Sequence, residues 1–357
     1  RRLAKLPAYC VCVVKVWASV LVGGFSAYTK TLSVSLLPNK SATPNIYYLS
    51  HKQSHKMLNL ARIQKSNRLM KAMSGLNIRQ FNELAKTFDR NPEKAIDLER
   101  SVRGCVRKKG GGKKPRLATP ALRLAFILTY LKCYPTYDVQ GVLFDLDAGN
   151  CCDWVKRLLP VLETTLGEKL VLPARKIRSV DEFLQRFPNE KDLLVDVTER
   201  RTQRSSNNKT QRKHFSGKQH AHTRKNLVAA NPEKKILIQS PTKAGHYHDK
   251  KISDKDTSFD FIPSDVCVWV DKGFQGIQHK HKNTMQPQKK PQTRELTAEE
   301  KEQNRVISAL RMPIENVFAG LKSMKCLYDV YRNRNGLDDK FMLLAAGLWN
   351  FKLEYNS

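Results

Sequence analysis

A chain of 357 residues with 40% apolar side chains has room for one or two domains with buried cores, which excludes a disordered tail protein. Its 64 Lys and Arg stand against 33 Asp and Glu, a formal +31, and so large a surplus points to a polyanionic partner: nucleic acid first, an anionic membrane surface second. The eight Cys include no Cys-x-x-Cys pair, which excludes zinc ribbons and zinc fingers and reads as reduced thiols in a cytosolic protein.

Residue 1 is Arg, the first Met is Met57, and no acid precedes Glu83. Residues 8–27 are mostly apolar but interrupted by Lys15, so hydropathy alone allows a signal peptide, a membrane span or an acid-poor transit peptide. The plainer reading is a natural start at Met57, with residues 1–56 an upstream extension that carries no function and no membrane association.

Residues 57–73 and 77–88 carry apolar side chains at three- and four-residue spacing, which predicts helices. Residues 103–116 hold seven Lys/Arg, no acid and three consecutive Gly. This reads as a basic loop in which Arg107, Lys108, Lys109, Lys113 and Lys114 meet DNA phosphates, against the plainer reading of a solvated linker. From Thr119 the period is helical again, with Pro120 in the first turn after a Thr cap. A break at residues 134–136, a short helix over 137–144, a turn at 147–150 and a third helix over 151–159 outline a helix-turn-helix within residues 119–166. The third helix offers only Lys156 and Arg157 as bases, which makes it a poor reader of base edges.

Beyond Leu170 the period changes. Residues 192–197 (DLLVDV) predict a buried strand, 226–230 and 235–239 a hairpin about the Asn231-Pro232-Glu233 turn, 248–256 a connecting helix and 266–271 (VCVWVD) another strand. After a loop rich in Pro, Lys and Gln come a long helix over 298–325 and a last apolar helix over 337–353. The order implies an α/β sheet covered by helices. His214, His220, His222, His246 and His248 crowd one region, but no thiolate or close carboxylate completes a four-ligand set for a structural metal.

Three acids in this half have the placement that metal-dependent nuclease chemistry needs, where distant carboxylates meet to hold divalent ions. Asp196 lies inside an apolar strand, where a charge is costly unless it meets a cation; the alternative is an Asp on the solvent side of that strand. Asp271 ends the second strand, and a turn-forming Asp before Lys272-Gly273 explains it as well. Glu315 lies in the long helix beside a predicted buried stripe of Val306, Leu310, Ile314, Val317 and Leu321. With Arg311 and Lys322 it falls within about 60° on the helix wheel; a surface salt-bridge ladder would look the same.

Taken together these motifs resemble the insertion-sequence transposases with an RNase H-like DDE core, in the branch related to Harbinger elements. Arg311, Glu315 and Lys322 match the last three positions of that family's Tyr-x2-Arg-x3-Glu-x6-Lys signature, with Ser308 where Tyr is expected. VDVTERR around Asp196 is similar to its first acidic strand, with Val197 replacing a small residue, and DKGFQG from Asp271 to its second. HFSGKQHAHTRKNLV resembles its hairpin, placing Ser216, Gly217, Lys218, His222, Thr223 and Lys225 in register, and GHYHD (245–249) its Gly-x-x-His-Asp turn.

The resemblance implies an RNase H-like mixed sheet flanked by helices over residues 190–357, preceded by an α-helical DNA-binding domain over 57–170. It implies Asp196, Asp271 and Glu315 as catalytic residues and ligands of two Mg2+ (or Mn2+) ions. Arg311 and Lys322 are implied to contact phosphates or steady the metal carboxylate; Lys218, Lys225 and the acid-free run 200–225 are implied to track the DNA backbone. His248 and Asp249 would cap the crossover helix or approach the site, the structural role being the plainer of the two. Partners would be double-stranded DNA, at the element's terminal inverted repeats and at the target, and other copies of the chain in a homo-oligomer, with no membrane and a cytoplasmic, nucleoid-associated setting. Two rivals remain: a domesticated or decayed copy that binds DNA without cutting, and an unrelated basic protein that needs no acids.

Overall fold

The computed structural model describes residues 58–91, 115–333 and 336–355. The N-terminal extension and the basic loop with Arg107, Lys108, Lys109, Lys113 and Lys114 lie outside the described residues.

The helical half begins with Leu60–Ile63, Asn67–Ser74 and Ile78–Arg90. Asn77 and Gln80 form a reciprocal capping box at the start of the third, so two orphan donors are satisfied at once. The predicted helix-turn-helix follows as Pro120–Cys133, Tyr137–Phe144 and Ala148–Glu168, capped by Thr119, Thr136 and Asp147. The third helix is longer than its sequence pattern predicts and continues through Pro160. At the turn between the second and third helices, a Cβ on Gly141 would stand 2.3 Å from the Leu146 carbonyl oxygen, so only Gly lets the chain fold back there.

A short helix, Val180–Arg186, leads into the sheet. Its strands are β1 (Asp192–Arg201), β2 (Phe215–Ser216), β3 (Ala221–Ala230), β4 (Ile236–Gln239), β5 (Lys243–Ala244), β6 (Cys267–Val270) and β7 (Thr284–Met285). The order along the main path is β2-β3-β1-β6-β7, with β4 and β5 also on β3. The β1–β3 and β3–β4 pairs are antiparallel, the β1–β6 and β6–β7 pairs parallel. The expected hairpin, crossover helix (Asp249–Lys255), long helix (Ala298–Lys322) and last helix (Asp338–Glu354) are all present, as is the mixed α/β architecture.

Alternation along β1 sorts its side chains between two cores. Leu193 and Val195 join Leu227, Val268 and Val270 on one face, beneath Phe183, Ile252 and Phe274. Leu194 points the other way, into a core shared by the helix-turn-helix, the long helix and the last helix. All the described helices and the sheet therefore belong to one compact unit, which clusters as residues 53–357. Burial of Ile314, Val317 and Leu321 anchors the long helix to that core, at about 1.5–3 kcal/mol per fully buried side chain. The predicted stripe fails at its start: Val306 and Leu310 are 49% and 47% exposed, and Val306 lines a surface recess with Trp269 of β6 and Met285 of β7 instead of entering a core. Among the described residues no helix is long and apolar enough to cross a membrane.

Candidate active site

Period-two alternation places residues 194 and 196 of β1 on the face covered by the long helix. β6 runs parallel beside it in a register that sets Val195 against Val270. One residue further along stand Asp196, in the middle of β1, and Asp271, just past the end of β6, side by side and close enough to share one guanidinium. The loop after Asp271 is pinned by two bonds to its carbonyl oxygen, from the Gln286 side chain at 2.8 Å and the Phe274 amide at 3.1 Å.

Arg311 comes down from the long helix between the two carboxylates. Its guanidinium is 7% exposed and lies 3.1 Å from Asp196 Oδ2 and 3.7 Å from Asp271 Oδ1. Burial raises the Asp196 carboxyl from 3.8 to about 6, against the opposing attraction of Arg311 and with help from the negative charges of Asp271 and Asp249. The rise is thus mainly a desolvation effect, which Arg311 offsets only in part.

Glu315 follows one helical turn after Arg311. At 100° per residue Arg311, Glu315, Phe318 and Lys322 share one helix face within about 60°. Phe318 and Lys322 line the cleft with Asp196 and Asp271. Glu315 is exposed and makes no hydrogen bond or ion pair with the described residues. The structure thus brings the two aspartates together and sets the glutamate on the same helix face, outside their contact group. Among the described residues no three His, Cys, Asp or Glu side chains stand close enough to hold a metal ion. In chemistry the donors nevertheless suit a hard divalent cation, since both aspartates offer oxygen and Asp196 is a buried carboxyl under-compensated by its partner.

The cleft holds about 970 Å³ and also takes in Glu199, Lys218, Thr223 and Asp249. On the far face of β1, Glu199 pairs across the ladder with Lys225. Lys225 lies 3.8 Å from Glu199 Oε2 and 3.1 Å from Asp249 Oδ1, and donates to the Tyr247 carbonyl at 3.0 Å. The Thr223 hydroxyl donates to Glu199 Oε1 at 2.5 Å. A Cβ on Gly245 would stand 2.2 Å from Thr223 Oγ1 and 2.5 Å from the His214 carbonyl oxygen, so the chain passes there only as Gly. The motifs around residues 196–199, 223–225, 245–249 and 271–273 thus converge on one locus.

One expectation needs correction and a second narrows. Lys225 is buried and occupied by two carboxylates, so it cannot meet DNA phosphates as the hairpin resemblance implied. For Arg311, burial against Asp196 and Asp271 narrows the two roles that the resemblance implied to steadying carboxylates, in place of contacting phosphates. The basic run 200–225 divides accordingly: Arg200 is buried against the Asp338 carbonyl, while Arg201, Arg204, Lys209, Arg212, Lys213 and Lys218 are exposed. Sequence reasoning missed Glu199 as a wall of the cleft, and ranked a structural place for Asp249 above an approach to the site. The signal available was their recurrence inside the Thr-Glu and His-Asp motifs.

Comparison with known proteins agrees with this geometry. Residues 195–350 match the family described as DDE superfamily endonuclease, and residues 115–168 match the helix-turn-helix of DDE superfamily endonuclease. The chain is 30% identical over 291 residues to the probable transposase for insertion sequence element IS702 of Microchaete diplosiphon, a match covering 81% of this chain and 96% of that protein. No solved structure matches.

Proposed function

The chain belongs to the insertion-sequence transposases built on the DDE superfamily endonuclease domain, and on that premise we propose that it hydrolyses phosphodiester bonds at the ends of its element and joins the freed 3′-hydroxyl to target DNA. The observation that carries this reading is the convergence of Asp196 and Asp271, from adjacent parallel strands, on one guanidinium at the wall of a cleft edged by Lys218 and Lys322.

Asp196 and Asp271, with Glu315 from the helix face above them, would hold Mg2+ or Mn2+, two ions in the fullest form. Such a cation would lower the pKa of the attacking water or hydroxyl and neutralise charge on the phosphorane-like transition state. The protein's own part is positional. Asp196 and Asp271 are fixed by the β1–β6 ladder, and small displacements of such groups cost heavily in rate. Arg311 keeps the two carboxylates converged. Lys322 and Lys218, both exposed and both lining the cleft, would grip the flanking phosphates. In hydrolysis the water oxygen bonds to phosphorus as the P–O3′ bond breaks, and the 3′-oxygen leaves with a proton. In joining, that hydroxyl attacks a target phosphodiester in line, so one P–O bond forms as another breaks.

The division of labour places DNA binding in the helices of residues 57–170, the helix-turn-helix above all, and chemistry in residues 190–357. Two ends must be cut and joined together, which calls for at least two copies of the chain. The test is nicking of supercoiled plasmid carrying the element's ends, with Mg2+ and with EDTA. Asp196→Asn, Asp271→Asn and Glu315→Gln should each abolish Mg2+-dependent nicking and keep DNA binding. A wild-type protein that binds the ends but never nicks them would be a binding-only copy, and the enzymatic reading would fall.

A further inference from the structure

On the outer side of the arm formed by the helix Asn208–His214 and β2, a recess of about 450 Å³ is lined by Arg204, Gln211, Arg212, Phe215 and His222. Its size lies within the range of about 300–1,000 Å³ typical of ligand sites. At its centre Phe215 is 44% exposed, with His222 against it edge-on at 5.8 Å between ring centroids. Arg204 is held at the rim by a 3.0 Å bond from its Nε to Gln211 Oε1. Among the described residues no carboxylate pairs with Arg204 or Arg212, and residues 200–225 contain nine Lys/Arg and no acid.

An exposed aromatic side chain sharing a recess with two guanidinium groups that no carboxylate neutralises matches one chemistry well. A nucleobase stacks on the ring while the cations neutralise the phosphates on either side of it. Duplex DNA keeps its bases stacked on each other, so the ligand must be an unpaired base. We propose that Phe215 is a stacking platform for an unpaired nucleobase of the DNA strand engaged in the neighbouring cleft. This rests on the transposase reading and assigns a site to it.

Continuity with the cleft supports the assignment. Phe215 lines the recess and Lys218, three residues on in the same hairpin turn, lines the carboxylate cleft. Three residues span at most about 11 Å, some three nucleotide steps of 3.4 Å along one strand. A strand gripped by Lys218 would therefore present a base to Phe215 within a few nucleotides of the reacting phosphate. The hairpin would hold that base out of the helix while the cut is made.

The experiment uses the full chain in EDTA, so that binding is read without cleavage. Its probes are a single-stranded oligonucleotide carrying 2-aminopurine and a fluorescein-labelled duplex of the same length. Phe215→Ala should weaken single-strand binding about 5- to 150-fold, the loss of one stacked base. Duplex affinity should stay within about twofold, because phosphate contacts are untouched. The 2-aminopurine quench seen with wild type should vanish in Phe215→Ala, return in Phe215→Trp and stay absent in Phe215→Leu, a comparison that also serves if the Ala protein folds poorly. Equal losses for both DNAs, a quench that survives Phe215→Ala, or equal behaviour of the Leu and Trp proteins would overturn the proposal. A wild-type protein that binds duplex but not single strands sinks the stacking site alone; one that binds neither sinks the transposase reading as well.

Discussion

Asp196 offers a sharp measurement because its fold-induced shift and its proposed task pull in opposite directions. Its side chain is 23% exposed, and its carboxyl is raised from 3.8 to about 6, mainly by burial. A carboxyl whose folded value exceeds its unfolded value binds more protons folded than unfolded between the two. The stability it contributes is fully present below pH 3.8 and is lost as pH rises through about 6. A shift of about two units is worth roughly 3 kcal/mol, and partial solvent access reduces the expectation to about 1–2 kcal/mol. The attraction of Arg311 is already contained in that figure. Asn cannot ionise, so Asp196→Asn should equal wild type near pH 4 and exceed it by about 1–2 kcal/mol near pH 7.5 in EDTA, or roughly 2–6 °C in Tm. Urea denaturation across that range reads the difference directly, with an unchanged m-value as the check on compactness. Added Mg2+ should stabilise wild type and leave Asp196→Asn unmoved. An Asn protein that is less stable than wild type at pH 7.5 in EDTA would refute the reasoning, because Arg311 would then more than compensate the buried charge.

Glu315→Gln should leave Tm within about 1 °C, since the carboxylate is exposed and unpaired, yet reduce Mg2+-dependent nicking at least about 100-fold; plasmid nicking beside a melting curve reads both. Lys322→Ala should lower the slope of log affinity against log salt by about one unit, measured by anisotropy across a salt series, if the lysine meets one phosphate. Lys225→Met should behave oppositely: that salt slope stays as it was while stability falls by about 3–5 kcal/mol in urea, because Glu199 and Asp249 are left facing each other without their buried cation. Gly245→Ala should cost about 1–3 kcal/mol in the same assay, as its Cβ meets Thr223 Oγ1 and the His214 carbonyl.

Much of the molecule was legible because its signals are short-range. Thr119 before Pro120 and the Asn231-Pro232-Glu233 turn each act through neighbours three or four residues away, and both are found in place, whereas the turn expected over 147–150 is the capped first turn of a helix. The two apolar strands with their acids were legible for the same reason, since a short run of apolar residues ending in Asp is visible as such. What covers a surface is a long-range fact. Val306 and Leu310 continue a stripe whose other members are buried, yet both stay half-exposed, and no periodicity reveals where close packing against a partner surface stops. Lys225 looked like its basic neighbours because the acids that claim it, Glu199 and Asp249, lie far off in the chain, the first across the ladder and the second beyond the hairpin.

Alternation along one strand also explains how so basic a chain can keep a concentrated acidic site. On one face of β1, Asp196 meets Asp271 and a single guanidinium; on the other, Glu199 meets Lys225, with Asp249 closing the pair. The second set has a buried cation of its own and tightens the turn that carries Gly273, whose Cβ position lies 3.3 Å from Asp249 Oδ2. The first set likewise shares one cation between two carboxylates, and burial leaves Asp196 raised to about 6. The two sets differ in exposure: the acids around Lys225 are 12% and 18% exposed and hold backbone at the Tyr247 carbonyl, while Asp196 and Asp271 are 23% and 46% exposed toward the cleft. Because both faces belong to the same few residues of β1, the network around Lys225 helps to fix the position of the two aspartates. That coupling is the physical reason the Thr-Glu, His-Thr-x-Lys and His-Asp motifs accompany the two aspartates in a single chain.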